Sequence, residues 1–78
     1  MSKDIKSRLE SLFGKVIQGV AAESISELER VDTEEWDSLA HLNLVISLEE
    51  EFGVSINPDQ AAEITSFEET YRFVESKR

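Results

Sequence analysis

The stretch Asp37–Gly53, with the sequence DSLAHLNLVISLEEEFG, decides the fold. The carboxylate of Asp37 can accept a hydrogen bond from an early backbone N–H, so Asp37 is predicted to cap a helix that runs from Ser38 to Phe52. Gly53, followed by the apolar Val54, is typical of a helix end at which glycine adopts the left-handed conformation. The sequence therefore predicts a helix of about four turns in the middle of the chain.

This central helix has more apolar residues than one buried stripe needs. One broad side, which we expect to face the core, carries His41, Leu44, Val45, Leu48 and Phe52. A second side carries Leu39, Leu42 and Ile46. A helix that is apolar on two sides is either buried all round or binds something, and a chain of 78 residues is too small to bury it all round. The second side is therefore expected to be exposed and to bind a partner.

Three further helices are predicted, one before the central helix and two after it. The first runs from Ser2 to Gln18, is capped by Ser2 or Asp4, and has helically spaced apolar residues at Ile5, Leu9, Leu12, Phe13 and Val16. A short helix begins at Asn57, where Pro58 takes the first helical position and Gln60 can complete a capping box. A second capping box at 66–69 opens the last helix, which ends near Lys77 and has one apolar face formed by Phe67, Tyr71 and Val74.

The segment 19–36 shows no periodicity. A connection of this length without structure is unusual in a compact domain, so it either contains an unrecognised element or is held in place by its apolar residues. A brief helical turn at Asp32–Trp36 is possible. The predicted fold is all-α, a single domain over residues 1–78, with four helices, one of them short, and a long first loop; no strand is needed.

The charge balance excludes several classes of function. Seventeen acidic residues against eight basic ones give a formal charge of −9. Such a charge repels nucleic acid and anionic membranes and attracts basic partners, although it can also serve solubility alone. The chain has no cysteine, no apolar run of signal length and none long enough to span a bilayer. We therefore expect a cytoplasmic protein that binds no nucleic acid and does not insert into membranes.

Two motifs on the central helix resemble the acyl carrier protein family. The family's attachment signature, Asp-Ser-Leu at the start of its second helix, is present as Asp37-Ser38-Leu39, and its acidic cluster followed by Phe is present as Glu49-Glu50-Glu51-Phe52. The length, acidity and helix order are also similar over nearly the whole chain. The resemblance implies a four-helix bundle in which Ser38 carries 4′-phosphopantetheine, donated from coenzyme A, as a phosphodiester. It also implies a carrier of thioester-linked acyl groups that catalyses no reaction.

The chemistry of position 38 suits this expectation. In the first turn of a helix the backbone N–H groups lack intrahelical partners and the helix dipole favours an anion. A partner enzyme can reach a hydroxyl at the end of a loop, and in a chain without cysteine the arm would supply the only thiol. The simpler alternative is that Asp37 and Ser38 form only an ordinary helix cap.

The resemblance also assigns the second side of the central helix to partner docking. The residues concerned are Leu39, Leu42 and Ile46, with Asp37, Asn43, Glu49 and Glu50 as their polar neighbours. Charges at such a rim mainly set the rate and specificity of encounter. The implied partners are a phosphopantetheinyl transferase, an acyl-loading ligase or synthase, and a downstream acyltransferase or synthase, each docking on a monomer.

Three positions depart from the family's usual pattern. Family members that serve fatty acid synthesis commonly carry acids where this chain has Ala40 and Asn43, and a small residue is frequent where it has Trp36. These departures favour a specialised pathway, such as secondary metabolite or surface polysaccharide assembly. A carrier for fatty acid synthesis, and an acidic protein-binding adaptor without a prosthetic group, remain alternatives.

His41 is the single histidine of the chain. It follows Ser38 by three residues, so a small hydrolase with a Ser38–His41 pair is conceivable. A partly buried histidine near the inner end of an acyl channel is the favoured interpretation, with the first loop and the short helix gating a small cavity. One histidine without cysteine does not make a zinc site, and the acids lack the spacing of a calcium loop.

Overall fold

The fold consists of helices joined by short connections. The computed structural model describes residues 4–77, and in that range the chain forms α1 (Ile5–Val16), two 3₁₀ helices (Ala22–Glu27 and Arg30–Asp32), α2 (Ser38–Phe52), α3 (Pro58–Glu63) and α4 (Phe67–Lys77). Between residues 4 and 77 the β-pairing consists of one isolated antiparallel bridge, which joins Glu29 and Ser66. The predicted all-α class, the short third helix and the bounds of the central helix are confirmed.

Helix α1 is shorter than predicted at both ends. Asp4 caps it by accepting a hydrogen bond from the Ser7 backbone N–H at 2.8 Å, and this bond lowers the pKa of the Asp4 carboxyl. The alternative cap, Ser2, lies outside the described residues. The helix ends at Val16 rather than Gln18, because Ile17 leaves helical geometry and turns its side chain into the core, where it is 1% exposed.

Both ends of α2 are built as predicted. The Asp37 carboxylate accepts a hydrogen bond from Ala40 N at 2.9 Å, and Gly53 adopts the left-handed conformation with a φ of 65°. An unpredicted cation also stabilises the C-terminal end. Arg8 of α1 donates to the Glu51 carbonyl at 2.7 Å and pairs with the Glu51 carboxylate at 3.0 Å. This cation offsets the unfavourable position of acids at a helix C-terminus.

The first connection contains two 3₁₀ helices that the sequence periodicity does not reveal, and buried apolar residues hold it in place, in agreement with the alternatives left open above. Ile25 in the first 3₁₀ helix and Leu28 after it are buried, whereas Val31 in the second is 86% exposed. A hydrogen bond from Trp36 N to Thr33 O at 3.0 Å closes the turn expected before Trp36. Such elements escape a search for helical periodicity, because a 3₁₀ helix is short and has three residues per turn rather than 3.6.

The capping box predicted before α3 is confirmed, whereas of the box predicted at 66–69 the described residues form only the bond to the Ser66 hydroxyl. In α3, Gln60 N donates to Asn57 Oδ1 at 2.8 Å and Asn57 N donates to Gln60 Oε1 at 3.0 Å. Before α4, Ser66 Oγ accepts a hydrogen bond from Glu69 N at 3.0 Å. The buried face of α4 also includes Thr70, whose hydroxyl donates to Ser66 O at 2.7 Å.

Aromatic rings join α1, the first connection and α4 at the centre of the core. The Phe13 ring makes edge-to-face contacts with Trp36 at 5.4 Å and with Phe67 at 5.1 Å between centroids. Leu44 and Leu48 are the fully buried residues of α2, while the other members of its predicted core face, His41, Val45 and Phe52, are half-buried. None of the described helices is both long and apolar enough to cross a lipid bilayer.

Candidate attachment site

Ser38 is the first residue of α2 and is exposed. The Asp37 carboxylate caps the helix through Ala40 N, and the Asp37 carbonyl accepts a hydrogen bond from His41 N at 2.8 Å. The first turn is therefore ordered on both sides of Ser38. Within residues 4–77 the Ser38 hydroxyl makes no hydrogen bond, so the cap does not engage it. An exposed hydroxyl at a helix N-terminus fits a covalently attached phosphodiester, since the helix dipole favours an anion there.

An exposed apolar patch begins directly after Ser38. We call Leu39, Leu42 and Ile46 the docking patch; their side chains are 68%, 57% and 45% exposed. The predicted separation of α2 into a core side and an exposed side is thus confirmed for these residues. Asp37, Asn43 and Glu50 are exposed as well. The arrangement places the predicted docking residues on the accessible surface of α2, and their role in binding stays a prediction.

Glu49 differs from the other predicted docking residues because its carboxylate has a partner inside the protein. It is half-buried, and its Oε2 accepts a hydrogen bond from the Ile56 backbone N–H at 2.9 Å. Ile56 lies in the connection before α3. Glu49 therefore fastens this connection to α2, a function that the acidic run 49–51 does not reveal in the sequence.

Trp36 and His41 form a hydrogen-bonded pair whose members lie on either side of Ser38 in the chain. The Trp36 side chain is 2% exposed, and its Nε1–H donates to His41 Nδ1 at 3.0 Å. An indole nitrogen can only donate, so this bond assigns Nδ1 as the acceptor and places the ring proton on Nε2. Nε2 then donates to the Ala61 carbonyl of α3 at 2.9 Å. The prediction of a half-buried His41 is confirmed. The sequence did not predict that its ring bonds Trp36 and Ala61 at the same time.

The occupied imidazole nitrogens bear on two expectations from the sequence. A general base for Ser38 would need a ring nitrogen that can accept the hydroxyl proton, and the one acceptor of His41 already binds Trp36. The geometry thus does not support the hydrolase alternative. In addition, both ring nitrogens of His41 bind groups of the bundle, Trp36 and Ala61, while the acyl channel expected beside His41 stays a prediction.

Comparison with known proteins agrees with this site. The family model described as "Phosphopantetheine attachment site" matches residues 7–74 of the chain. A curated acyl carrier protein from Desulforapulum autotrophicum is 28% identical over 74 residues, which cover 94% of this chain and 96% of that protein. The chain belongs to the phosphopantetheine-binding acyl carrier protein family, and its prosthetic group is 4′-phosphopantetheine.

Proposed function

We propose that Ser38 carries the phosphopantetheine arm and that the protein presents arm-bound acyl groups to partner enzymes without catalysing a reaction itself. The observation that carries this proposal is the exposed Ser38 hydroxyl on the capped first turn of α2, next to the docking patch. When attached, the group supplies a terminal thiol on which an acyl group is held as a thioester. The chain itself holds the phosphodiester at the positive end of α2 and leaves it open to solvent.

The docking patch and its polar neighbours are proposed to bind the enzymes that act on the arm. Leu39, Leu42 and Ile46 would contact apolar surface on a partner, and Asp37, Asn43 and Glu50 would form the rim. We assign the main role of Glu49 to its bond with Ile56 rather than to docking. The partners are a phosphopantetheinyl transferase, an acyl-loading ligase or synthase, and a downstream acyltransferase or synthase, which the net charge of −9 would attract through basic surfaces.

The pathway served is proposed to be a specialised one rather than bulk fatty acid synthesis. Ala40 and Asn43 leave the start of α2 without two acids, and Trp36 closes the loop before it. A partner that recognises this surface depends less on charge at the start of the helix. We further propose that the protein acts as a cytoplasmic monomer and that residues 1–78 form one domain.

The proposal is tested by intact-mass spectrometry after incubation with coenzyme A and a broad-specificity phosphopantetheinyl transferase. We expect the wild-type protein to gain one phosphopantetheine, which maps to the peptide that contains Ser38. Ser38→Ala should gain none and should keep its helical circular dichroism. Ser26→Ala is the matched control, because Ser26 is also exposed, and this variant should be loaded like the wild type.

Loading of folded Ser38→Ala would show that another residue carries the arm. Failure of folded wild-type protein to gain mass, while a reference carrier is loaded in the same tube, would favour the acidic adaptor and reduce Ser38 to a part of the helix cap.

A further inference from the structure

Helix α3 is a short element with little burial of its own. It has six residues, Pro58–Glu63, and none of them is fully buried. Ala61 and Gln60 are half-buried, and the remaining residues are exposed. Such an element opens more easily than a helix with a buried face, because local opening is least costly where few apolar contacts are lost. What holds α3 against α2 therefore decides whether a chain can pass between these two helices.

Two side chains of α2 fasten α3, one near each of its ends. Glu49 Oε2 accepts the hydrogen bond from Ile56 N at 2.9 Å, just before α3 begins. His41 Nε2 donates to Ala61 O at 2.9 Å, near its C-terminal end. We call this line of contact, from Glu49–Ile56 to His41–Ala61, the α2–α3 seam. Both bonds join part-buried groups, so separation of the helices would leave polar groups without partners.

Core residues hold the His41 side chain in place at its end of the seam. Trp36 holds the His41 ring through its Nε1–H, and Trp36 itself packs edge-to-face on the fully buried Phe13. His41 therefore cannot turn away from Ala61 without releasing the indole N–H of a residue that is 2% exposed. The His41 ring is thus held in the orientation in which its Nε2 meets the Ala61 carbonyl of α3.

An acyl group on an arm at Ser38 would be driven by the hydrophobic effect toward any apolar space that it can enter. On the same helix as His41 and Glu49, Leu44 and Leu48 are fully buried in the close-packed core. A long acyl chain that entered the core between α2 and α3 would have to break the seam and displace core side chains. A short or polar acyl group gains little from burial and has no such tendency.

We propose that the α2–α3 seam is closed to the cargo, and that the protein carries short or polar acyl groups that stay outside the bundle on the arm. This inference rests on the proposed attachment to Ser38, and it names the class of acyl group on that arm. It replaces the interior acyl channel expected from the sequence. His41 and Glu49 are positioning residues in this proposal, since they act by holding α3 and do not touch the cargo.

The test compares the protein loaded from acetyl coenzyme A with the protein loaded from hexanoyl coenzyme A. The measured quantity is the thermal midpoint of each loaded form, determined alongside the amide spectra of Leu44 and Leu48. Four additional methylenes that became buried would raise the midpoint by more than about 10 °C in a domain of this size. We expect the two wild-type forms to agree within about 1 °C, with unshifted core amides.

Variants show whether the seam is the reason why the thermal midpoint does not depend on the length of the acyl chain. His41→Ala removes the bonds to Trp36 and Ala61, so in this variant the hexanoyl form should melt above the acetyl form. Glu49→Gln is the matched control because its side chain keeps an oxygen acceptor for Ile56 N, and it should behave like the wild type. A midpoint that rises with chain length in the wild type, or that is independent of it in His41→Ala, would overturn the proposal.

A measurement on the unmodified protein separates this inference from the attachment itself. Hydrogen exchange of the Ile56 backbone N–H, which donates to Glu49 at one end of the seam, should be slowed in the wild type and at least about tenfold faster in Glu49→Ala. If no arm is attached, the proposed function fails, and the exchange rate still tests the seam. Rapid exchange of the Ile56 amide in the wild type would show an open seam and contradict the inference, whether or not Ser38 can be loaded.

Discussion

The Nε1–H of Trp36 donates to Nδ1 of His41 at 3.0 Å, and these two residues stand on opposite sides of Ser38 in the chain. The bond joins the end of the first connection to the second turn of the helix that begins at Ser38. It therefore fixes the backbone on both sides of Ser38, the proposed attachment residue. Through Nε2, the same imidazole extends this order to α3.

Removal of the His41 ring is expected to destabilise the protein. His41→Ala leaves the Trp36 indole N–H without a partner in a site that is 2% exposed, which costs about 1–3 kcal/mol in free energy of unfolding. Urea denaturation followed by Trp36 fluorescence measures the change. His41→Asn can retain an acceptor near Nδ1 and should recover part of the loss. Equal stability of His41→Ala and the wild type would show that the bond contributes nothing.

Substitution of two glycines by alanine should change stability in opposite directions. Gly53 has a φ of 65° and no atom within 4 Å of an added Cβ, so Gly53→Ala should cost about 1–2 kcal/mol from backbone strain alone. Gly14 lies inside α1, where an added Cβ would meet Ile25 Cδ1 at an ordinary 3.6 Å. Gly14→Ala should therefore stabilise the protein by about 0.5–1 kcal/mol. Thermal unfolding of both variants checks the signs, and a stabilising Gly53→Ala would contradict the left-handed cap.

The Arg8 side chain should contribute more to stability than Arg72. Arg8 binds the Glu51 carbonyl and carboxylate, and its guanidinium lies 4.6 Å from the centre of the Phe52 ring. We expect Arg8→Met to cost about 1–2 kcal/mol, since hydrogen bonds to charged groups contribute more than neutral ones. Arg72→Met, which loses exposed ion pairs within α4, should change stability by less than about 0.5 kcal/mol. Denaturation at low and high salt compares the two, and similar losses would refute the ranking.

The docking patch is expected to affect partner reactions without affecting folding. Leu42→Ser changes a side chain that is 57% exposed, so the free energy of unfolding should change by less than about 0.5 kcal/mol. The rate of loading by the phosphopantetheinyl transferase at limiting concentration should fall by about fivefold or more if Leu42 is a binding anchor. Val31→Ser is the control, because Val31 is 86% exposed and lies outside the patch. Equal slowing by both substitutions would argue against a specific docking role for the patch.

The sequence alone predicts those parts of the fold that depend on neighbouring residues. Asp37 and Asn57 mark helix starts because a cap bonds to a backbone N–H three residues away, and Gly53 marks an end because it suits positive φ. The exposed position of Leu42 follows from helical periodicity in a chain too small to bury every side of α2. The candidate site at Ser38 is predictable for the same reason, since it depends on one turn of one helix.

Only the tertiary structure decides the contacts between elements. The bonds of His41 with Ala61, Glu49 with Ile56 and Arg8 with Glu51 have no local signature, because each depends on where a second segment passes in space. The same three side chains therefore look like a lone histidine, part of an acidic run and a surface cation in the sequence. Local hydrogen bonds and periodicity determine the helices and the exposed position of Ser38 at a helix start, whereas the packing of distant segments determines which polar side chains bond across the bundle.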